Sequence, residues 1–461
     1  MTAAAVDAVA LAAAVRAGEV SAREVAEAAL ARGEGLNPSL GAFAAFAAER
    51  ALGQADAVDA AVASGTLGDA PLAGVPLPIK DLVEVAGVPF AAGSRALAGT
   101  LAGATDVSAA RLEAAGAVTV GKTATPEFGF PCYTEPDGAP PAVTPWDPTR
   151  MAGGSSGGAA AAVASGIVPI AHASDGGGSI RIPASCCGLV GLKPSRGLVD
   201  TMPSRLPGPG LVSDGVLTTT VRDTAWALDV LAPGHHFFAG LDAAGTDLRI
   251  GVLTEPVISD AAAVHPACLA AVAEVAELLG ALGHRVAEAP RPFAADRWAA
   301  FDAVWTTGAA SIPLPPEADP ALTPMTRWLR ARGRAVTGVE YAAALGEIAR
   351  LEWDVDRAWG AFDVVLTPTL AQPPLPVGAL RNDADPAADF AAQIDFTPWT
   401  SIANLTGRPS VSLPLVRAEV DGVVLPIGVM LTGRRGADAT LLLLAAELEL
   451  ALPWPRTAPG F

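Results

Sequence analysis

Lysine is almost missing from this chain. Lys80, Lys122 and Lys193 are its only lysines in 461 residues, and the other 27 of the 30 basic residues are arginine. Arginine serves solvated cationic positions well but cannot release and regain a proton at ordinary pH. A lysine kept against that bias is a candidate for proton chemistry, with tight packing the competing account for any one taken alone. Positive charge as a whole is also short: 30 Lys and Arg against 48 Asp and Glu give a formal net charge of −18. Like-charge repulsion excludes a broad phosphate-binding surface, so no nucleic-acid partner is expected.

Cysteine is scarce, with four residues, two of them the adjacent Cys186 and Cys187. That number builds no disulfide framework in a chain of this length and suits a reducing cytoplasm. No basic segment precedes the Ala-rich amino terminus, so no export signal is expected. The longest apolar run, Gly157 to Ala173, is divided by Gly166 and Pro169. It predicts a buried helix followed by a buried strand rather than a membrane span. Histidine is short as well. His235, His236, His265 and His284 fall at turns or helix ends, and His172 sits among apolar neighbours. None has the setting of a catalytic base.

What remains is a chain that is 51% hydrophobic and alternates helical with extended patterns, the arrangement of an α/β fold. Ser21-Ala22-Arg23-Glu24 reads as a capping box opening a helix, and Asn37-Pro38 is expected to close it. A second helix is predicted from Ala44 to Ser64, and a Pro-punctuated extended path from Pro71 leads to Lys80. Val107 to Ala115 predicts a helix and Ala117 to Val120 a strand. Leu248 to Leu253, Pro266 to Leu282 and Arg285 to Ala289 predict strand, helix and strand. Asp363 to Leu366 and Val423 to Leu431 add strands, and Thr440 to Leu450 a final helix, giving a mainly parallel or mixed sheet wrapped by helices. Pro313 to Pro324 and Pro373 to Pro386 read as loops framing a pocket.

Two Gly/Ser clusters carry the chemistry. Gly153-Gly154-Ser155-Ser156-Gly157-Gly158 precedes an Ala-rich helix, and Asp175-Gly176-Gly177-Gly178-Ser179 precedes Ile180-Arg181-Ile182-Pro183. Glycines let main-chain N–H groups converge on one point, as an anionic tetrahedral intermediate requires. A phosphate loop is excluded because Ala159, not Lys, follows Gly158. Tight helix-to-sheet packing explains either cluster alone equally well.

Gly153 to Ala164 and Ser174 to Pro194 together resemble the Gly/Ser-rich motif of the amidase signature family, with two serines 24 residues apart. Gly74-Val75-Pro76 through Lys80-Asp81 resembles that family's lysine motif, and Gly116 through Thr123 with Glu127-Phe128 its next block. Asn404 to Pro409 and Leu425 to Gly428 fit its carboxy-terminal part. The resemblance implies an α/β fold with a central mixed β-sheet surrounded by α-helices. It implies one amidase domain over 1–461: helical segment 1–65, catalytic core 70–200, variable substrate side 201–400 and core again 401–461.

The resemblance also implies hydrolysis of a small-molecule amide through a Ser-Ser-Lys triad and an acyl-enzyme, without metal or cofactor. Ser179 would be the nucleophile and Ser155, on a cis peptide bond, the proton relay. Lys80 would be the base, with burial lowering its pKa and Asp81 turned away. Gly176, Gly177 and Gly178 would supply the oxyanion hole, and Ser156, Asp175 and Arg181 the supporting network. Lys122 and Lys193 would be structural. Gly176 stands where the family commonly has threonine, with consequences for loop and pocket shape. Ala173 to Gly197 resembles the subgroup containing 6-aminohexanoate cyclic dimer hydrolase, which implies a linear or cyclic oligoamide. Phe130-Pro131-Cys132-Tyr133 is the expected specificity segment, with Cys132 and Tyr133 as substrate-binding candidates and Trp305 or Trp328 as pocket walls. The amidase subunit of a tRNA-dependent amidotransferase is the alternative. A cytoplasmic location is expected and no membrane association; a homodimer is admitted and not required.

Overall fold

The computed structural model describes residues 6–201, 210–243, 245 and 247–461. Among them run eleven strands: β1 Phe43–Phe46, β2 Ile79–Lys80, β3 Gly121–Thr123, β4 Ile170–Asp175, β5 Val190–Lys193, β6 Ser213–Thr218, β7 Arg249–Val252, β8 Arg285–Glu288, β9 Val364–Pro368, β10 Ser410–Val420 and β11 Val423–Gly433. Three form a small sheet, β1-β3-β2, and eight form the central sheet, β4-β6-β5-β10-β11-β9-β7-β8. The central sheet is mixed. Its β7–β8 and β7–β9 pairs are parallel and the other five antiparallel. Helices cover it, and buried aliphatic side chains from both layers make the largest core cluster.

Local signals place several elements as expected. Ser21 Oγ accepts the Glu24 N–H while the Glu24 carboxylate accepts the Ser21 N–H at 3.0 Å, and the helix Ala22–Leu40 follows. Gly157–Ala164 is a helix with every residue buried, followed by β4, so the long apolar run splits at the residues that cannot extend a helix. The unit β7, helix Pro266–Ala281, β8 is a parallel crossover.

Other expectations are corrected. The Ala22–Leu40 helix passes through Pro38 and ends at Gly41, whose left-handed φ of 58° caps it while its N–H donates to Asn37 O at 2.9 Å. The helix expected from Ala44 begins at Ala48, since Phe43–Phe46 pairs antiparallel with β3. The strand expected at Ala117 to Val120 forms directly after that span, at Gly121–Thr123. β10 was not anticipated. Asp421-Gly422, with φ of 52° and 79°, makes the two-residue turn that joins it to β11, and that dipeptide is the signal that could have found it.

Two links aim the small sheet at the large one. β2 pairs parallel with β3, and the N–H of His172 on β4 donates to Pro78 O at 3.0 Å. Lys80 is thereby delivered beside the end of β4, where the second Gly/Ser cluster begins.

Candidate active site

Three segments far apart in sequence converge here. Lys80 ends β2, Ser155 lies in the turn before the helix Gly157–Ala164, and Ser179 lies in the turn between β4 and the helix Arg181–Cys187. Lys80 Nζ donates to Ser155 Oγ at 2.8 Å and to the Ser174 carbonyl at 3.1 Å. The Gly154–Ser155 peptide bond is cis. The Ser156 N–H donates to Ser179 O at 3.2 Å, and Ser156 Oγ to Ser174 O at 3.3 Å, tying the two serine loops together. Exposure falls from 8% at Ser179 to 1% at Ser155 and 0% at Lys80. Ser179 is therefore the outermost of the three, with Lys80 behind it.

The second loop is held by a buried ion pair. Asp175 Oδ1 and Oδ2 accept from Arg181 Nη2 and Nε, each at 2.9 Å, and from the N–H groups of Gly178 at 2.8 Å and Ile180 at 3.1 Å. Burial by itself would raise the Asp175 carboxyl. The Arg181 guanidinium and Asn404, and more remotely Lys193, outweigh it and hold the group below the usual carboxylate range. Asn404 donates to the carbonyl and carboxylate of Asp175, and Thr400 Oγ1 donates to Gly177 O at 2.6 Å.

This geometry changes the part expected of Gly178. Its N–H is committed to Asp175, which removes it from the amides free to face a ligand. Its φ of 137° and the 2.6 Å from a would-be Cβ to Thr400 Oγ1 still demand glycine. Thr400 carried no sequence signal; it reaches the loop from the turn that precedes the helix Ser401–Leu405.

The other lysines are occupied. Lys122 Nζ donates to Asp81 Oδ1 at 2.9 Å and to Val83 O at 2.7 Å, so Asp81 faces Lys122. Burial raises the Asp81 carboxyl, and Lys122 opposes that rise. Removing one member of a buried pair strands the other charge. Lys122→Ala is expected to cost about 3 kcal/mol of stability, and Lys122→Met with Asp81→Asn less, in urea denaturation. Lys193 Nζ donates to Pro194 O at 2.6 Å, and burial, followed by the charge of Arg181, draws its ammonium down to about 7.

Two cavities open at Ser179. The larger, about 330 Å³, is lined by Ser155, Ser174, Gly176, Ser179 and mainly apolar side chains, and it reaches Pro313 of the first Pro-rich stretch. The smaller, about 60 Å³, is lined by Cys132, Gly177, Ser179 and an aromatic group including Trp298 and Phe301. Trp305 is a wall of both; Trp328 packs behind, on Phe390. Tyr133 lines neither, and its hydroxyl donates to Asp389 at 2.7 Å. The four cysteines are buried and free, and burial raises each thiol, Cys187 and Cys268 to about 12. They are poorly suited to act as thiolates. Among the described residues no cluster of three or more His, Cys, Asp or Glu could hold a metal ion, and no helix is long and apolar enough to cross a membrane.

Comparison with known proteins gives this arrangement a context. Residues 24–442 match the Amidase family model. AmiC of Mycobacterium tuberculosis (strain ATCC 25618 / H37Rv) is 40% identical over 98% of this chain and 95% of its own length. The 6-aminohexanoate-cyclic-dimer hydrolase of Paenarthrobacter ureafaciens is 34% identical over 98% of this chain and 96% of its own. A solved structure of 6-aminohexanoate cyclic dimer hydrolase complexed with substrate superposes with a TM-score of 0.88 at 31% identity, covering 99% of both chains. With its fold, its matched length and these relatives, the chain belongs to the amidase signature family and is an amide-hydrolysing enzyme.

Proposed function

We propose that the enzyme cleaves carboxylic amides with Ser179 as nucleophile, Ser155 as proton relay and Lys80 as ultimate base. The observation that carries this reading is the 2.8 Å contact between Lys80 Nζ and Ser155 Oγ at the floor of a cavity that Ser179 also lines. Serine is a weak nucleophile until a neighbouring base takes its proton. In the first half-reaction Ser179 Oγ bonds to the carbonyl carbon; its proton moves to Ser155, and the Ser155 proton moves to Lys80. The oxyanion is met by the main-chain N–H groups of Gly176 and Gly177, with that of Ser179 in place of the committed Gly178 amide. When the C–N bond breaks, Ser155 protonates the nitrogen and is resupplied by Lys80. Water then attacks the acyl-enzyme, gives its proton to the same relay, and releases carboxylate and free Ser179. Every step balances with water as the only co-reactant.

Asp175, Arg181 and Ser156 hold the loop and do not react. All of 1–461 is read as one amidase domain acting on its own. Similarity to the 6-aminohexanoate-cyclic-dimer hydrolases brings linear and cyclic oligoamides into the substrate range. Free-standing hydrolysis of amides other than glutamine would separate this reading from a subunit of a tRNA-dependent amidotransferase.

The test is covalent. A fluorophosphonate should place one phosphonyl group per chain on Ser179, mapped by peptide mass spectrometry; modification elsewhere, or none, would overturn the assignment.

A further inference from the structure

The two cavities at Ser179 differ in which catalytic neighbour they contain, and that difference assigns the halves of the substrate. Ser155 and Gly176 line only the large cavity, and Gly177 only the small one, while Ser179 lines both. The carbonyl carbon must bond to Ser179 Oγ. The leaving nitrogen must lie within hydrogen-bond reach of the hydroxyl that protonates it, on Ser155. The nitrogen and its substituent therefore run into the cavity of about 330 Å³. The acyl substituent, on the opposite side of the carbonyl carbon, is left the slot of about 60 Å³.

Phe130 and Trp305 form the partition. Both line the two cavities, and their rings meet edge-to-face with centroids 5.5 Å apart. Trp305 also stacks on Phe301 at 5.2 Å. Gly176 makes room for it: a Cβ at 176 would lie 3.1 Å from the Trp305 ring.

Charge narrows the class further. Among the described residues no charged side chain lines either cavity. The large cavity adjoins a third through Leu82, Phe90 and Phe128, and the charged groups lining that outer space are the carboxylates Glu84 and Asp106. A carboxylate carried on the amine would be desolvated without a partner and then meet like charge.

We propose, on the basis of the Ser179 mechanism above, that the preferred substrates are neutral amides with a compact acyl group and a larger apolar amine, ahead of the 6-aminohexanoate oligoamides that similarity suggests, whose acyl side is long. Trp305 and Phe130 are the specificity-determining residues that keep the acyl side short.

Two isomers test the division because they have the same atoms and differ only in which side of the amide is long: N-hexylacetamide and N-ethylhexanamide. The wild-type enzyme should favour N-hexylacetamide by at least about tenfold in kcat/KM, the scale of discrimination by added methylenes in an apolar pocket. Trp305→Ala should remove most of that preference by raising turnover of N-ethylhexanamide, and Phe130→Leu serves should the first variant fail to fold. N-acetyl-6-aminohexanoate, which adds a carboxylate at the end of the long amine, should be cleaved at least about tenfold less well than N-hexylacetamide. Equal use of the isomers, preference for N-ethylhexanamide, or efficient cleavage of the carboxylate would overturn the proposal. So would failure to cleave either isomer by enzyme whose Ser179 takes the fluorophosphonate. Failure of that labelling would instead overturn the mechanism beneath it.

Discussion

Ser179→Ala is expected to lower kcat by about 10⁴-fold or more, the scale seen when a serine nucleophile is deleted and only binding and oxyanion contacts remain. Lys80→Arg should fall almost as far, by about 10³- to 10⁴-fold, the upper part of what a positioned base contributes. The two variants test different things. Alanine removes the attacking oxygen, whereas arginine places near Ser155 a permanent cation that cannot accept its proton. Because Lys80 is fully buried, the bulkier arginine needs a packing control, and Lys80→Met supplies it. Both Lys80 variants should keep the wild-type far-ultraviolet circular dichroism. Near-normal turnover in Lys80→Arg would remove Lys80 from the role of base, and fluorophosphonate uptake by Ser179 should slow in parallel with kcat if Lys80 acts through Ser155.

Arg181→Ala is expected to cost about 5 kcal/mol, the upper end for stranding one member of a buried ion pair. Asp175 and Arg181 are both fully buried, and Arg181 also donates to Thr400 O at 2.7 Å and to Asn404 Oδ1 at 2.8 Å. The pH dependence should change sign. In the wild-type protein the Asp175 carboxyl lies below its ordinary value, so its contribution is fully present above about pH 4 and is lost as pH falls further. Without Arg181, burial dominates and the folded-state pKa rises above the unfolded one. Stability is then fully present below about pH 4 and is lost as pH rises through the raised value. Urea midpoints followed upward from about pH 4 should show the deficit of Arg181→Ala growing with pH; a deficit independent of pH would mean that the charge of Asp175 is not what Arg181 compensates. Activity should fall as well, since the same pair fixes the loop that carries Gly176 to Ser179.

The contrast between Lys122 and Lys80 shows how much of this site was legible from sequence. Both are rare lysines at the end of a strand of the small sheet or within it, and scarcity marked them equally. Their contacts differ: Lys122 Nζ donates to the Asp81 carboxylate, and Lys80 Nζ donates to a serine hydroxyl 75 residues away. The resemblance to the family had already chosen between them, but the chemistry that justifies the choice is an interatomic distance.

Gly178 and Tyr133 show the opposite case, in which local sequence suggested more than the fold supports. The family resemblance implied Gly176, Gly177 and Gly178 as oxyanion donors, yet the Gly178 N–H is turned toward Asp175 by the carboxylate that anchors the loop. Tyr133 belongs to the expected specificity segment, but its neighbour Cys132 faces the small cavity while the tyrosine hydroxyl is spent on Asp389. Adjacent residues in an irregular segment point in different directions, and the choice belongs to what packs around them.

By itself the sequence determined the features that depend on near neighbours: the capping box at Ser21, the split of Gly157 to Ala173 into helix and strand, the parallel crossover from β7 to β8, and two Gly-rich turns each carrying a serine. These follow from hydrogen bonds and backbone freedom within a few residues. Tertiary structure decided the rest. It turned Phe43–Phe46 into a strand through pairing with β3 and brought Lys80 against Ser155. It also set Phe130 and Trp305 between two unequal cavities. Such outcomes depend on long-range pairing and side-chain packing, whose partners lie tens to hundreds of residues apart, and no local pattern encodes where those partners meet.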